Sequence, residues 1–150
     1  MSAQLKDFAT SVVAVVEPDT TAFAVAQLMR KHHVGAMVVV DAEEKSRAIG
    51  IVSDRDLVLE LIAEGLDPAV FTAGDIMSDH LVMADPKMDA MDAVKLMNTH
   101  CVRRLVIVDE VDRLVGIVSM EDILELFARE LALLAAGMAG ARQREINERG

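Results

Sequence analysis

The chain has 150 residues, 53% of them hydrophobic and 27% charged, enough to bury one compact domain or two small halves. Its net charge of −10 argues against nucleic acid as a partner, because no broad basic surface is left to neutralise phosphates. The single cysteine excludes an intrachain disulfide framework and fits a reducing compartment. Met1–Thr10 lacks the apolar core of a signal peptide, and Leu131–Ala141 is about half the roughly 20 residues a membrane span needs. The expectation is a soluble cytoplasmic protein without a membrane partner. With no Trp, no Tyr, four Phe and ten Met, its core must be built from aliphatic side chains and Met.

In chain order, the β-branched run Val12–Val16 predicts a strand ended by Pro18. Thr20 or Thr21 can cap a helix reaching about Lys31. Val34–Val40 is almost wholly apolar, as in a strand buried on both faces. The charged residues 42–47 predict a turn, and Ala48–Val52 the next strand. Ser53 caps a helix that runs to about Glu64 and stops at Gly65. The same order returns in Leu81–Ala84, Asp89–Thr99, Val102–Val108, Leu114–Val118 and the helix from Met120.

The second series repeats the first at the level of residues. Pro18, Leu28, Met29, His32, Val34 and Asp41 recur 68 positions on as Pro86, Leu96, Met97, His100, Val102 and Asp109. Backward, the same offset pairs Asp7 with Asp75 and Thr10 with Ser78. The word Gly50-Ile51-Val52-Ser53-Asp54-Arg55-Asp56 returns 66 positions on as Gly116-Ile117-Val118-Ser119-Met120-Glu121-Asp122, so the first hairpin is two residues longer. Two units result, near 7–65 and 75–133, too few for a solenoid and better suited to a closed pair.

Each unit resembles a CBS domain, the module named after cystathionine β-synthase, and together they resemble a tandem pair. The likeness rests on Pro18-Asp19-Thr20, His33–Asp41 and Gly50–Asp56, on Val102–Asp109 and Gly116–Asp122, and on the linker Asp75-Ile76-Met77-Ser78. It implies an α/β (α+β) fold of two β-α-β-β-α units about a pseudo-twofold axis, followed by a C-terminal helical extension. The chain then divides into 1–70, 71–133 and a tail, 134–150. The family is regulatory and not catalytic, and its paired units leave two clefts that commonly hold adenosine nucleotides. No enzyme activity and no catalytic cofactor are expected.

The Ser-x-x-Asp words have a local role as capping boxes. A helix start also attracts phosphate through its free N–H groups, and a carboxylate one turn on can accept bonds from ribose hydroxyls. By resemblance, one cleft takes Ser119, Asp122, Arg103 and Arg104 from the second unit and Val12, Ala14, Val34, Gly35 and Ala36 from the first. The other takes Ser53, Arg55 and Asp56, with His80, Val82, Val102 and Arg103 opposite. Arg103 and Arg104 sit where the first unit has Gly35 and Ala36. If both lie in the strand they point to opposite faces, so that at most one enters a given cleft.

The histidines and Cys101 lack metal-ligand spacing, and no metal site is expected; Cys101 reads as a small buried apolar residue at a strand entry. No nucleophile motif supports a triad. From Glu121 to Asn147 one long helix is expected, with a break at Gly137 or Gly140 allowed for. Its wide apolar face covers either the module's own core or a second chain, and a homodimer is the expectation. The leading functional expectation is a regulatory sensor of AMP, ADP or ATP that signals to a protein partner by conformational change. The alternatives are an empty dimerisation or interaction module, or an accessory subunit docking on an enzyme or transporter.

Overall fold

The computed structural model describes residues 3–150. Its elements are α1 (Leu5–Phe8), β1 (Val15–Val16), α2 (Ala22–His32), β2 (Ala36–Val40), β3 (Ala48–Ser53), α3 (Asp54–Asp56), α4 (Ala73–Ile76), β4 (Met83–Ala84), α5 (Ala90–His100), β5 (Arg104–Val108), β6 (Leu114–Ser119) and α6 (Met120–Arg149). They form two three-stranded sheets, ordered β1-β2-β3 and β4-β5-β6. In each, the outer pair β1–β2 or β4–β5 is parallel, and the hairpin β2–β3 or β5–β6 is antiparallel. Both hairpins carry a register irregularity at the same place, Val39/Val40 and Ile107/Val108.

The repeat is visible down to the caps. Thr21 Oγ1 accepts the Ala24 N–H at 3.2 Å, and Asp89 Oδ2 accepts that of Met91 at 3.0 Å, so both helices start on side-chain caps. Both end on a left-handed residue, His33 and Cys101, each at φ 54°. This end geometry trims the strands. Val34 N still bonds Met29 O at 3.1 Å and Val102 N bonds Met97 O at 3.0 Å, so β2 and β5 start at positions 36 and 104. It also corrects the expectation for Cys101, which caps the helix at the surface and is exposed. After α3 the chain widens into a π-helical stretch, Leu57–Ile62, with Ala63 N bonded five residues back to Val58 O at 2.8 Å. Gly65, at φ 67°, ends the segment as expected. The Val12–Val16 and Leu81–Ala84 strands shrink to two paired residues each.

Two cores are assembled across the sequence boundary near residue 70. Leu5 is fully buried among Val82, Ala93, Met97, Leu105 and Ile123, inside the second unit. Ala73 and Ile76 of α4 are buried with Val25, Val39 and Leu61, inside the first. Each unit therefore takes its sixth element from the segment preceding the other unit in the chain, and the division 1–70 and 71–133 separates stretches of chain without separating the cores. The crossing segments explain the repeated glycines. A Cβ on Gly116 would meet the Thr10 carbonyl oxygen at 3.1 Å, and one on Gly50 would collide with the Met77 side chain. At these crossings Thr10 pairs with Ile117 and Ser78 with Ile51. A third cluster, Val38, Val40, Ala48 and Val106 with Val13, Ile51, Leu81, Val108, Leu114 and Ile117, joins the two sheets face to face. The C-terminal helix runs unbroken through Gly137 and Gly140 to Arg149.

Asp41 and Asp109 hold the two hairpin turns. Asp41 Oδ1 accepts the N–H groups of Glu43 and Glu44, both at 2.9 Å, and Asp109 Oδ1 those of Val111 at 3.0 Å and Arg113 at 2.9 Å. The N–H of Glu44 most strongly, then that of Glu43 and the Arg47 guanidinium, keep the Asp41 carboxyl below the ordinary 3.8. For Asp109 the Arg113 N–H leads, followed by the Val111 N–H and the Arg113 side chain. A carboxyl with a lowered folded pKa binds fewer protons folded than unfolded in this range. Its contribution to stability is complete above the unfolded value and is lost as pH falls through the folded one. Acid unfolding of Asp41→Asn and Asp109→Asn should therefore show a shallower loss of stability below about pH 4 than the parent. Superimposable acid limbs in circular-dichroism titrations would contradict these roles.

Candidate functional site

The strand-to-helix junctions β3–α3 and β6–α6 have one geometry. Ser53 N donates to Asp56 Oδ2 at 2.8 Å and Asp56 N to Ser53 Oγ at 3.1 Å. Ser119 N donates to Asp122 Oδ2 at 2.9 Å and Asp122 N to Ser119 Oγ at 3.1 Å. Both Ser-x-x-Asp words are thus complete capping boxes, as their spacing predicts. One carboxylate oxygen of Asp122 is engaged in this way. The other accepts no hydrogen bond from the described residues.

Of these two junctions, β6–α6 opens on a cavity of about 670 Å³. Its polar end is formed by Ser119, Glu121, Asp122 and Arg104 of the second unit, and its apolar walls by Val12, Ala14, Val34, Gly35 and Ala36 of the first. Every residue the sequence assigns to this cleft lines it except Arg103. Thr10, Val13, Val15, Leu28, His32, Met37 and Ile117 complete the lining and were missed; the Thr10–Ser78 equivalence was the available signal for the first of them.

Arg103 and Arg104 separate, Arg104 as the first residue of β5 and Arg103 in the bend before it. Arg104 reaches across to the first unit, its Nη2 lying 3.8 Å from where a Cβ on Gly35 would stand. Arg103 turns outward and pairs with Glu121 at 3.0 Å, an exposed contact that solvent screens. The Glu121 carboxyl is held below its ordinary range, chiefly by its own backbone N–H and then by Arg103 and Arg104. At neutral pH a carboxylate therefore stands beside the cationic end of the cavity, tempering its attraction for anions.

None of Ser53, Arg55, Asp56, His80, Val82 and Val102 lines this cavity. The Val82 side chain is buried in the second unit's core, with Val102 packed against that core. The His80 and His100 rings stand 6.1 Å apart between centroids. The positions equivalent to Val12, Ala14, Gly35 and Ala36 are His80, Val82, Arg103 and Arg104. They do not fill a matching cleft: Val82 turns into the second core, Arg104 lines the cavity at Asp122, and Arg103 pairs outward with Glu121.

Among the described residues, no cluster of three or more His, Cys, Asp or Glu is placed to hold a metal ion. No described helix is long and apolar enough to cross a membrane. The model of the CBS domain matches the chain twice, over residues 5–63 and 73–129. The chain belongs to the CBS domain family. The CBS domain-containing protein YhcV of Bacillus subtilis is 41% identical over 119 residues, 79% of this chain and 81% of that protein. A protein of Methanopyrus kandleri is 39% identical over 125 residues, 83% of this chain, which spans 63% of that relative's length. Among solved structures, a CBS domain protein of Pyrobaculum aerophilum complexed with AMP aligns with TM-score 0.74 at 24% identity, covering 85% of this chain and 99% of that one. The CBS domain pair of protein MJ0100, in complex with 5′-methylthioadenosine and S-adenosyl-L-methionine, aligns with TM-score 0.76 at 22% identity, covering 87% and 99%. At these identities the two structures establish the shared fold of the CBS pair.

Proposed function

We propose that this CBS pair is a cytoplasmic regulatory module, not an enzyme, that takes one adenosine nucleotide of the AMP, ADP or ATP type into the cavity at Asp122. The observation that carries the proposal is the cavity of about 670 Å³ built from both units. Its size suits a small-molecule site, and its plan of apolar walls with a few convergent polar groups suits one as well. In this reading the free Asp122 oxygen accepts from the ribose hydroxyls. Arg104, Ser119 and the start of α6 face the phosphate. Val12, Ala14, Val34, Gly35 and Ala36 enclose the base. Arg103 joins the phosphate when it leaves Glu121. The Ser53–Arg55–Asp56 junction keeps its capping role and binds more weakly, because it does not line this cavity. The AMP and S-adenosylmethionine complexes of proteins with this fold favour adenosine as the common element.

Signalling follows from the placement. A ligand touching both units binds best to one arrangement of them, and that difference in affinity shifts the population a partner protein reads. The competing reading, an empty interaction module whose Ser-x-x-Asp words only cap helices, draws on the two complete capping boxes. A thermal-shift screen with AMP, ADP, ATP and S-adenosylmethionine tests the choice. At about 100 times its Kd a ligand adds roughly 2.7 kcal/mol to the folded state, so at least one compound should raise Tm. Unchanged Tm with all four at millimolar concentration would overturn the proposal.

A further inference from the structure

The last 20 residues of α6 have no place in the nucleotide scheme. Ile123 is buried and Leu126 and Phe127 pack on the second unit, but every residue from Leu131 onward is exposed. The family match ends at residue 129, so this stretch is an addition to the CBS pair. A helix of about 20 residues, roughly 30 Å long, stands in solvent with Leu131 67%, Leu134 66% and Met138 75% exposed. Helices in proteins take most of their stability from packing an apolar face rather than from intrinsic propensity.

That face has a definite period. Leu124, Phe127, Leu131, Leu134, Met138 and Ala141 follow one another at spacings of three and four, the a and d positions of a heptad. Leu133 and Ile146 lie off this seam. The flanks decide what can cover it. In the same heptad, Glu130 and Arg144 take g positions, and Ala128, Ala135, Arg142 and Arg149 take e positions. Two parallel copies would set each Arg144 against the other's Arg149, a like-charge contact made twice. Two antiparallel copies bring g against g. Leu131 then faces the partner helix at its Ala141 position and Leu134 at its Met138 position. Glu130 meets the opposite Arg144, and Ala136 and Gly137 lie at the twofold centre, where their small size permits close approach. Within one chain, Arg144 is held by Glu148 at 2.8 Å, an exposed contact that can be exchanged.

We infer that α6 pairs with α6 of a second copy as an antiparallel two-helix coil centred near Gly137, joining two CBS pairs end to end. Isologous twofold contacts of this kind are the commonest form of self-association. The test uses the full chain in sedimentation equilibrium at tens of micromolar, with Arg144→Glu, Glu130→Arg and the double exchange. The wild type should be dimeric. Each single exchange should raise the dimer Kd by about tenfold or more, and the double exchange should restore it. Leu131→Glu with Leu134→Glu should give a monomer whose thermal unfolding matches the parent's monomeric core, since both side chains are exposed within the chain. A monomeric wild type, or a dimer indifferent to the two leucine changes, would overturn the inference. So would tighter association of Arg144→Glu, because removing the Arg144–Arg149 repulsion strengthens the parallel pair instead.

Discussion

Leu5→Ala should lower the unfolding free energy by about 2–5 kcal/mol, the range for emptying a fully packed leucine site. Leu5 lies in the short helix α1, ahead of the first strand. Here it is 0% exposed and wedged among Met97, Leu105, Val118 and Ile123 of the second unit. Its segment is also fixed by Leu5 N to Met88 O at 2.9 Å, Lys6 N to Pro86 O at 2.8 Å and Ala90 N to Ala3 O at 2.9 Å. Val70→Ala is the control, a change at a side chain 69% exposed that should move stability by no more than about 0.5 kcal/mol. Urea unfolding measures both. Equal, small losses would mean that the N-terminal segment is not part of the second core.

Asp122→Ala should weaken nucleotide binding by about 1.5–3 kcal/mol, some 10- to 150-fold, the scale of hydrogen bonds to a charged group. Loss of its capping bond to Ser119 N–H complicates any single measurement. The repeat supplies the control. Asp56 makes the same capping box with nearly the same distances, yet lies outside the cavity. Asp56→Ala should therefore cost similar stability, about 0.5–1.5 kcal/mol for one hydrogen bond, while leaving affinity within about twofold. Calorimetric titration of both variants separates capping from binding. Equal losses of affinity in the two would contradict a single dominant site, and no loss in either would reduce both words to caps.

Much of this was legible because duplication doubles each signal. The Val-rich strands, the helices before them and the Ser-x-x-Asp helix starts each occur twice at fixed offsets, and the structure repeats them in place. Arg103 and Arg104 do point apart, but Arg103 lies in the bend before β5, so strand alternation is not the reason. The exchange of Leu5 and α4 between cores was harder to see, since a four-residue helix has no periodicity to read. The pairing of Asp7 with Asp75 held the clue, as equivalent segments dock in equivalent places. Cys101 misled because its residue type suggests burial, whereas its position, like that of His33, is set by the left-handed turn ending the helix. The residues at 12, 14, 35 and 36 differ in size from those at 80, 82, 103 and 104, but the cavity depends on where those side chains turn, and the sequence does not tell that Val82 enters the second core while Arg104 enters the cavity.

The most direct test of the central claim is a crystal structure of the full chain grown with saturating AMP. The account predicts one nucleotide per chain in the cavity between the units, its ribose hydroxyls within hydrogen-bond distance of Asp122, its phosphate at Arg104 and Ser119, and its base among Val12, Ala14 and Val34. Nucleotide bound instead at the Ser53–Asp56 junction, or an empty cavity in crystals of a protein whose Tm no adenosine compound raises, would contradict it.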